Sequence, residues 1–283
     1  RLLSMITKRM GNRSYGNIIN MLNKLDKDDD IYNKLHEIYL VDDKNKVKKD
    51  ICPLVDFKST LYYDKIMNFI VINQKEKNII IDSYLDIGCG NCKVTEKLGK
   101  LFGLNSENIY GSDFSEFDEQ KYTKEKNINF TLLEKNYTKL PYDTNSMSLI
   151  SLINVIHHVS NLNVLFKELK RILKPNGILL FYIDLRDHYA RYKNSNEYNY
   201  LSFSDLMWNR FFNTPMLYQN RLTIDEYYKL FTDNGFRILS SKETTGDVCQ
   251  LTQLKTMKIN KRFLSIPIKR LMVRKVEVLM VND

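Results

Sequence analysis

The sequence predicts an α/β protein in which a mostly parallel sheet lies between helices. Three observations carry this. From residue 79 onward, short apolar runs alternate with segments of helical periodicity. A glycine-bearing turn, Gly88-Cys89-Gly90, stands between the first such run and the first such helix. Leu162, Leu165, Phe166, Leu169, Ile172 and Leu173 form an apolar stripe at 3.6-residue spacing, closed by Pro175-Asn176-Gly177 and followed by the buried-strand run Ile178 to Ile183.

Residues 1–60 read as a helical N-terminal extension. Ile18, Ile19, Leu22 and Leu25 recur at helical spacing, Lys27 to Asp30 interrupts them, Ile31, Leu35, Ile38 and Tyr39 resume it, and Cys52-Pro53 breaks it. The main domain is expected over 61–283. Leu61 to Ile72 is an amphipathic helix that leads into Ile79-Ile80-Ile81 and the strand Tyr84 to Ile87. Lys93 to Phe102 is the next helix, and Asn108 to Ser112, Asn129 to Leu133 and Met147 to Asn154 are strands. From 184 to about 222 the alternation lapses into a substrate-side insertion with eight aromatics between Tyr189 and Phe212. A helix from Thr223 to Asn234, ended by Gly235, and strands at Phe236 to Ser240 and Val276 to Val281 complete the sheet. No internal repeat is present.

With 43% hydrophobic and 27% charged residues, the chain is neither a disordered segment nor a membrane protein. No apolar stretch is long enough to cross a bilayer, and Arg1, Lys8, Arg9 and Arg13 break up the only candidate for a secretory signal, so a cytoplasmic protein without a membrane partner is expected. A start at Arg1 suggests a piece of a longer polypeptide. Cys52, Cys89, Cys92 and Cys249 do not make a disulfide framework. Cys89 and Cys92 have C-x-x-C spacing, but no second ligand pair lies at a matching distance, so they are read as turn residues and no metal is expected. The net charge is +9, with eight Lys/Arg and no acid between Lys255 and Lys275. That segment suits a polyanion such as RNA as well as it suits a solvated lysine-rich surface.

Gly88 and Gly90 let the backbone approach a ligand closely, because glycine has no Cβ and accepts positive φ. Two glycines alone are a weak signal. Asp113 strengthens it: in Tyr110-Gly111-Ser112-Asp113-Phe114-Ser115 a carboxylate follows the second strand, where it can accept hydrogen bonds from both hydroxyls of an adenosine ribose. Taken singly, Asp86 as a helix cap, Asp113 as a turn former and Asn154 as a strand end are equally good structural readings.

Leu85 to Leu98 and Tyr110 to Ser115 resemble motif I and its acidic successor in class I S-adenosylmethionine-dependent methyltransferases. The resemblance continues through Leu140-Pro141-Tyr142, Ser146 to Ile153 and Leu169 to Ile178, covering about 80–183. It implies a Rossmann-like, seven-stranded, mostly parallel sheet and S-adenosyl-L-methionine as cofactor. It further implies Asp86, Gly88 and Gly90 around the methionine moiety, Asp113 on the ribose, Asn136 near the adenine amino group with Tyr137 beside it, and Asn154 near the sulfonium. Three residues depart from the family's pattern: Cys92 replaces a third glycine, Asn136 an aspartate and Ser148 another aspartate.

For the acceptor, Asn154-Val155-Ile156-His157 occupies the place where RNA 2′-O enzymes carry the aspartate of a Lys-Asp-Lys-Glu tetrad and where amine methyltransferases carry Asn-Pro-Pro-Tyr. Guanine N7 has a free lone pair and needs only stacking and alignment, which suits His157 and the aromatic insertion. More narrowly, the chain resembles the C-terminal cap methyltransferase domain of mRNA capping enzymes of the African swine fever virus type. This implies guanine-N7 methylation of GpppN-RNA by in-line displacement without an obligatory base, with Asn154 and His157 at the reacting end. It also implies triphosphatase and guanylyltransferase domains upstream and a place in the host cytoplasm or virion. The alternative is a small-molecule methyltransferase with His157 as general base. A non-catalytic binding domain is the third reading.

Overall fold

The computed structural model describes residues 60–77, 79–114, 127–133, 139–188, 196–213 and 218–282. The expected N-terminal extension, Asn136 and Tyr137 lie outside them. In chain order the elements are α1 (Thr60–Lys77), β1 (Tyr84–Ile87), α2 (Lys93–Leu101), β2 (Ile109–Asp113), β3 (Asn129–Leu132), β4 (Met147–Ile153), α3 (Leu162–Ile172), β5 (Leu173–Asp184), α4 (Asp205–Phe211), α5 (Ile224–Asp233), β6 (Phe236–Thr245), α6 (Val248–Thr256), α7 (Ile268–Leu271) and β7 (Val273–Asn282). Among the described residues no helix is long and apolar enough to cross a membrane.

The described residues pack as two units. The larger runs from 57 to 185, 222 to 245 and 273 to 283, and the smaller takes in 186–221 and 246–272.

The larger unit holds one seven-stranded sheet in the order β3-β2-β1-β4-β5-β7-β6. β1, β2, β3, β4 and β5 are parallel, and β7 runs antiparallel to both β5 and β6. This is the Rossmann-like methyltransferase arrangement that the sequence anticipates. Its central strands are apolar on both faces because helices cover both. On one face Leu98 of α2 and Ile66, Phe69 and Ile70 of α1 pack on Tyr84, Leu149, Leu180 and Leu279. On the other, α3 and α5 meet the sheet through aromatics: Phe181 of β5 and Phe231 of α5 stack at 5.3 Å, and Phe166 of α3 lies 5.8 Å from Phe236 of β6.

β5 begins five residues earlier than its apolar run suggests. Leu173 pairs with Met147 and Ile178 with Leu149, so Pro175-Asn176-Gly177, with Asn176 at φ 61°, forms an irregularity inside the strand rather than a turn before it. β6 and β7 are also longer than the sequence suggests, because they pair with each other from Phe236↔Asn282 to Thr245↔Val273.

The smaller unit has its own core of Tyr198, Tyr200, Phe203, Trp208, Phe212, Leu254, Phe263 and Leu271. Trp208 stacks on Phe212 at 4.5 Å, and Phe203 lies 4.6 Å from Phe212. The described aromatics of the insertion are thereby consumed in packing, which corrects the expectation that they line a base-stacking slot. Residues 246–272, which include most of the basic segment Lys255 to Lys275, supply the other half of that core.

Candidate active site

The site sits at the carboxyl ends of β1, β2 and β4, where an open α/β sheet leaves a crevice. β1 ends in the turn 88–91, which is built from backbone that few side chains tolerate. Gly88 has φ 74°, and a Cβ there would fall 2.2 Å from Cγ2 of Val155. The N–H groups of Gly88 and Cys89 both donate to the Ser112 carbonyl, at 2.7 and 3.0 Å, anchoring the turn to β2. Gly90 has φ 52°, and a Cβ there would meet nothing within 4 Å. The open volume above Gly90 is the room that a cofactor's backbone contact requires.

Asp113, at the tip of β2, is buried to 9% exposure. Its Oδ2 accepts from the Gly90 N–H at 2.8 Å and its Oδ1 from the Phe114 N–H at 2.7 Å. A carboxylate at the tip of the second strand suits a ribose diol. Gly90 and Asp113 therefore come together as the sequence implied, and they fit a nucleoside-bearing cofactor.

Asp86 lies deeper than Asp113. Its side chain is buried beneath the turn, where Oδ2 accepts from Thr95 Oγ1 of α2 at 2.7 Å and Oδ1 from Ser151 Oγ of β4 at 2.6 Å. Ser151 is the residue that parallel pairing sets opposite Asp86. Its hydroxyl also meets Tyr84 Oη at 2.8 Å. Burial pushes the Asp86 carboxyl up to about 6, against the pull of the two hydroxyl donors, and the nearby Asp113 charge adds to the rise. Asp86 thus braces the turn against α2 and β4. Ser151 and Thr95 are the partners that sequence reasoning missed. Their only signal was a polar residue inside an apolar run and one in the first turn of a helix.

Cys92 caps α2 at φ 55°, a left-handed conformation that fits the glycine expected there and strains a cysteine. Ser148, in place of the expected aspartate, accepts from the N–H groups of Asp82 and Ser83 at 2.9 and 3.0 Å and donates to the Ser83 carbonyl at 2.7 Å. It locks the entry to β1. The Leu140-Pro141-Tyr142 loop is clamped by α3: Arg171 donates to the Tyr142 and Leu140 carbonyls at 2.8 and 3.0 Å, and Glu168 accepts from the Leu140 N–H at 2.8 Å. The Arg171 guanidinium holds the Glu168 carboxyl below its usual range.

Beyond β4, Asn154 takes φ 59° and donates its N–H to the Tyr182 carbonyl at 2.8 Å, which bends the chain sharply out of the sheet. A 3-10 turn, Ile156–His158, follows. Ile156 drops into the core, His157 is buried to 2% exposure, and its ring lies 4.3 Å from that of His158. Asn154 and His157 thus both stand at the carboxyl end of β4, as the sequence implied.

Residues 85–181 match the family described as "Methyltransferase domain". The demethylmenaquinone methyltransferase of Staphylococcus haemolyticus is 29% identical over 149 residues, 48% of this chain and 62% of that protein. The demethylmenaquinone methyltransferase of Staphylococcus saprophyticus is 30% identical over 148 residues, 48% of this chain and 63% of that protein. The chain thus spans under two thirds of the length of these curated relatives. Among solved structures, a putative sarcosine dimethylglycine methyltransferase from Galdieria sulphuraria aligns over 82% of this chain and 91% of its own, at TM-score 0.54 and 13% identity. A chain in the complex of the Haloferax volcanii Trm112 methyltransferase activator with a putative methyltransferase aligns over 82% and 97%, at TM-score 0.51 and 17% identity. These structural likenesses concern the fold.

Proposed function

We propose, from the premise that the chain carries a class I S-adenosylmethionine-dependent methyltransferase domain, that it methylates a small organic acceptor whose reacting atom is freed by loss of a proton to His157. S-adenosylmethionine is the cofactor of that domain, and it supplies an electrophilic methyl on a sulfonium. Gly88 and Gly90 keep the backbone low beneath it, Asp113 orients its ribose, and Asn154 frames the reacting end. Alignment of this kind is worth about 7–11 kcal/mol in well-oriented reactions.

The observation that carries the small-molecule reading is the position of His157, buried one turn beyond Asn154 at the end of β4. A buried imidazole suits a general base shielded from water. The curated relatives support it, since their name marks a quinone-type acceptor. A second reading, guanine-N7 methylation of capped RNA, rests on the exposed Lys255, Lys261 and Lys269 in the basic segment. It has lost its stacking argument, because Trp208, Tyr198, Tyr200 and Phe212 are buried in their own core.

The deciding experiment supplies methyl-labelled cofactor with reduced naphthoquinols and phenols in one arm and GpppA-RNA in the other. Label is expected in an extractable small molecule, with His157→Ala retaining cofactor affinity while turnover falls about 10²–10⁴-fold. Label recovered as 7-methylguanosine would establish the second reading. No affinity for the cofactor would leave only a binding domain.

A further inference from the structure

The motif that the proposed chemistry does not use is Cys89-Gly90-Asn91-Cys92. The two thiols, both more than nine-tenths removed from solvent, face each other across the cofactor turn with their Sγ atoms 3.4 Å apart. The turn is already closed by a 2.9 Å bond from the Cys92 N–H to the Cys89 carbonyl. Beneath them Gly111 of β2 presents bare backbone. A Cβ there would lie 3.1 Å from the Cys89 sulfur and 3.3 Å from the Cys92 sulfur, so the sheet presses both sulfurs into one shallow space. A disulfide bond is about 2.05 Å long, so only a little over ~1 Å of approach separates this pair from bonding.

We infer that Cys89 and Cys92 form a reversible disulfide that weakens the turn's hold on its cofactor. The inference rests on the proposed cofactor site and adds a regulation to it. In the step, Cys89, the more exposed of the two, loses its proton and attacks the sulfur of a disulfide oxidant such as glutathione disulfide, expelling one glutathione thiolate. Cys92 then attacks the mixed disulfide and expels the second. Both cysteines lose their protons, two electrons pass to the oxidant, and one S–S bond forms for the one that breaks.

Burial sets the rate. The partnership with Cys92, together with burial, pushes the Cys89 thiol up, so closure is slow and the bond is shielded once made. The consequence for binding follows from chain position. Gly90, held to Asp113, lies between the two cysteines, and contraction of the turn moves it relative to that carboxylate.

The test uses the full chain carrying Cys52→Ser and Cys249→Ser, equilibrated in glutathione buffers of increasing oxidised fraction. Denaturing mass spectrometry after alkylation reads the pair, and calorimetry with S-adenosylhomocysteine reads the site. The expected result is loss of about 2 Da and of both alkylation sites, with affinity lowered at least about tenfold and restored by dithiothreitol. Adding Cys92→Ser is expected to keep the reduced protein's affinity and abolish its redox response. Failure to form the disulfide at any glutathione ratio overturns the inference, as does an oxidised protein that binds within twofold of the reduced one. A reduced protein that binds nothing overturns the proposed cofactor site, while the mass change is read without any ligand.

Discussion

The backbone N–H of Gly90 donates a 2.8 Å hydrogen bond to Oδ2 of Asp113, so the turn after β1 and the carboxylate after β2 form one unit. With Oδ1 taken by the Phe114 N–H, Asp113 satisfies two backbone donors at once. An asparagine offers one acceptor oxygen and turns an amide N–H toward the other donor. Asp113→Asn is therefore expected to lower S-adenosylhomocysteine affinity by at least about tenfold, roughly the loss of one charge-assisted hydrogen bond. Calorimetry checks this, and a change of less than twofold would show that the carboxylate does not face the ligand.

Gly88 and Gly90 should separate stability from binding. Gly90→Ala adds a methyl into open space at φ 52°, so it should cost only about 1–2 kcal/mol of left-handed strain while cofactor affinity collapses. Gly88→Ala meets Cγ2 of Val155 at 2.2 Å and should cost clearly more stability. Adding Val155→Ala should recover the steric part and leave the strain. A double-mutant cycle in urea measures it, and additive effects would contradict the contact.

Periodicity made α2, α3 and α5 legible because each buries one apolar face, and continuous apolar runs made the central parallel strands legible because helices cover both of theirs. Where it failed, the determining contacts are distant in sequence. The start of β5 at Leu173 depends on pairing with Met147 across a Pro-Asn-Gly irregularity, which local turn signals misrepresent. The place of Asp86 was legible from its motif, but its partners within the fold, Thr95 and Ser151, are set by helix placement and strand register that one-dimensional spacing does not contain. The aromatic insertion was ambiguous because stacking slots and small cores use the same residues. The burial of Trp208 and Phe212 decides between them.

Asp86 gives a pH signature. Its carboxyl is pushed up to about 6 in the fold, against about 3.9 in an unfolded chain. Between these values the folded state holds more protons, so this group's contribution to stability falls as pH rises from about 4 to 6 and is lost above that window. The loss is about 3 kcal/mol. Asp86→Asn removes the titration, and the hydroxyls of Thr95 and Ser151 can reorient to an amide. Relative to wild type, the variant should gain up to about 3 kcal/mol between pH 4 and pH 7 in urea unfolding. A difference that stays flat with pH would show that Asp86 is not held in a desolvated site.

Arg221 organises the smaller unit. At 3% exposure and φ 58°, its guanidinium donates to the Tyr200 and Phe203 carbonyls at 2.7 and 2.8 Å and to Asp205 at 2.5 Å. Its Cζ lies 5.1 Å from the Trp208 ring centre and 5.6 Å from that of Phe263, so the cation lies over two aromatic faces. Asp205 keeps Arg262 as a second partner, so truncation strands the two buried carbonyls rather than the carboxylate. Arg221→Ala should therefore cost about 3–5 kcal/mol, since it opens a cavity and leaves buried acceptors unpaired. Arg221→Lys should recover less than half of this, because a single ammonium does not span the three acceptors. Trp208 is the chain's sole tryptophan, so its fluorescence during denaturation reports this core directly. An unchanged tryptophan transition in Arg221→Ala would show that the guanidinium is not what holds Tyr200, Phe203 and Trp208 together.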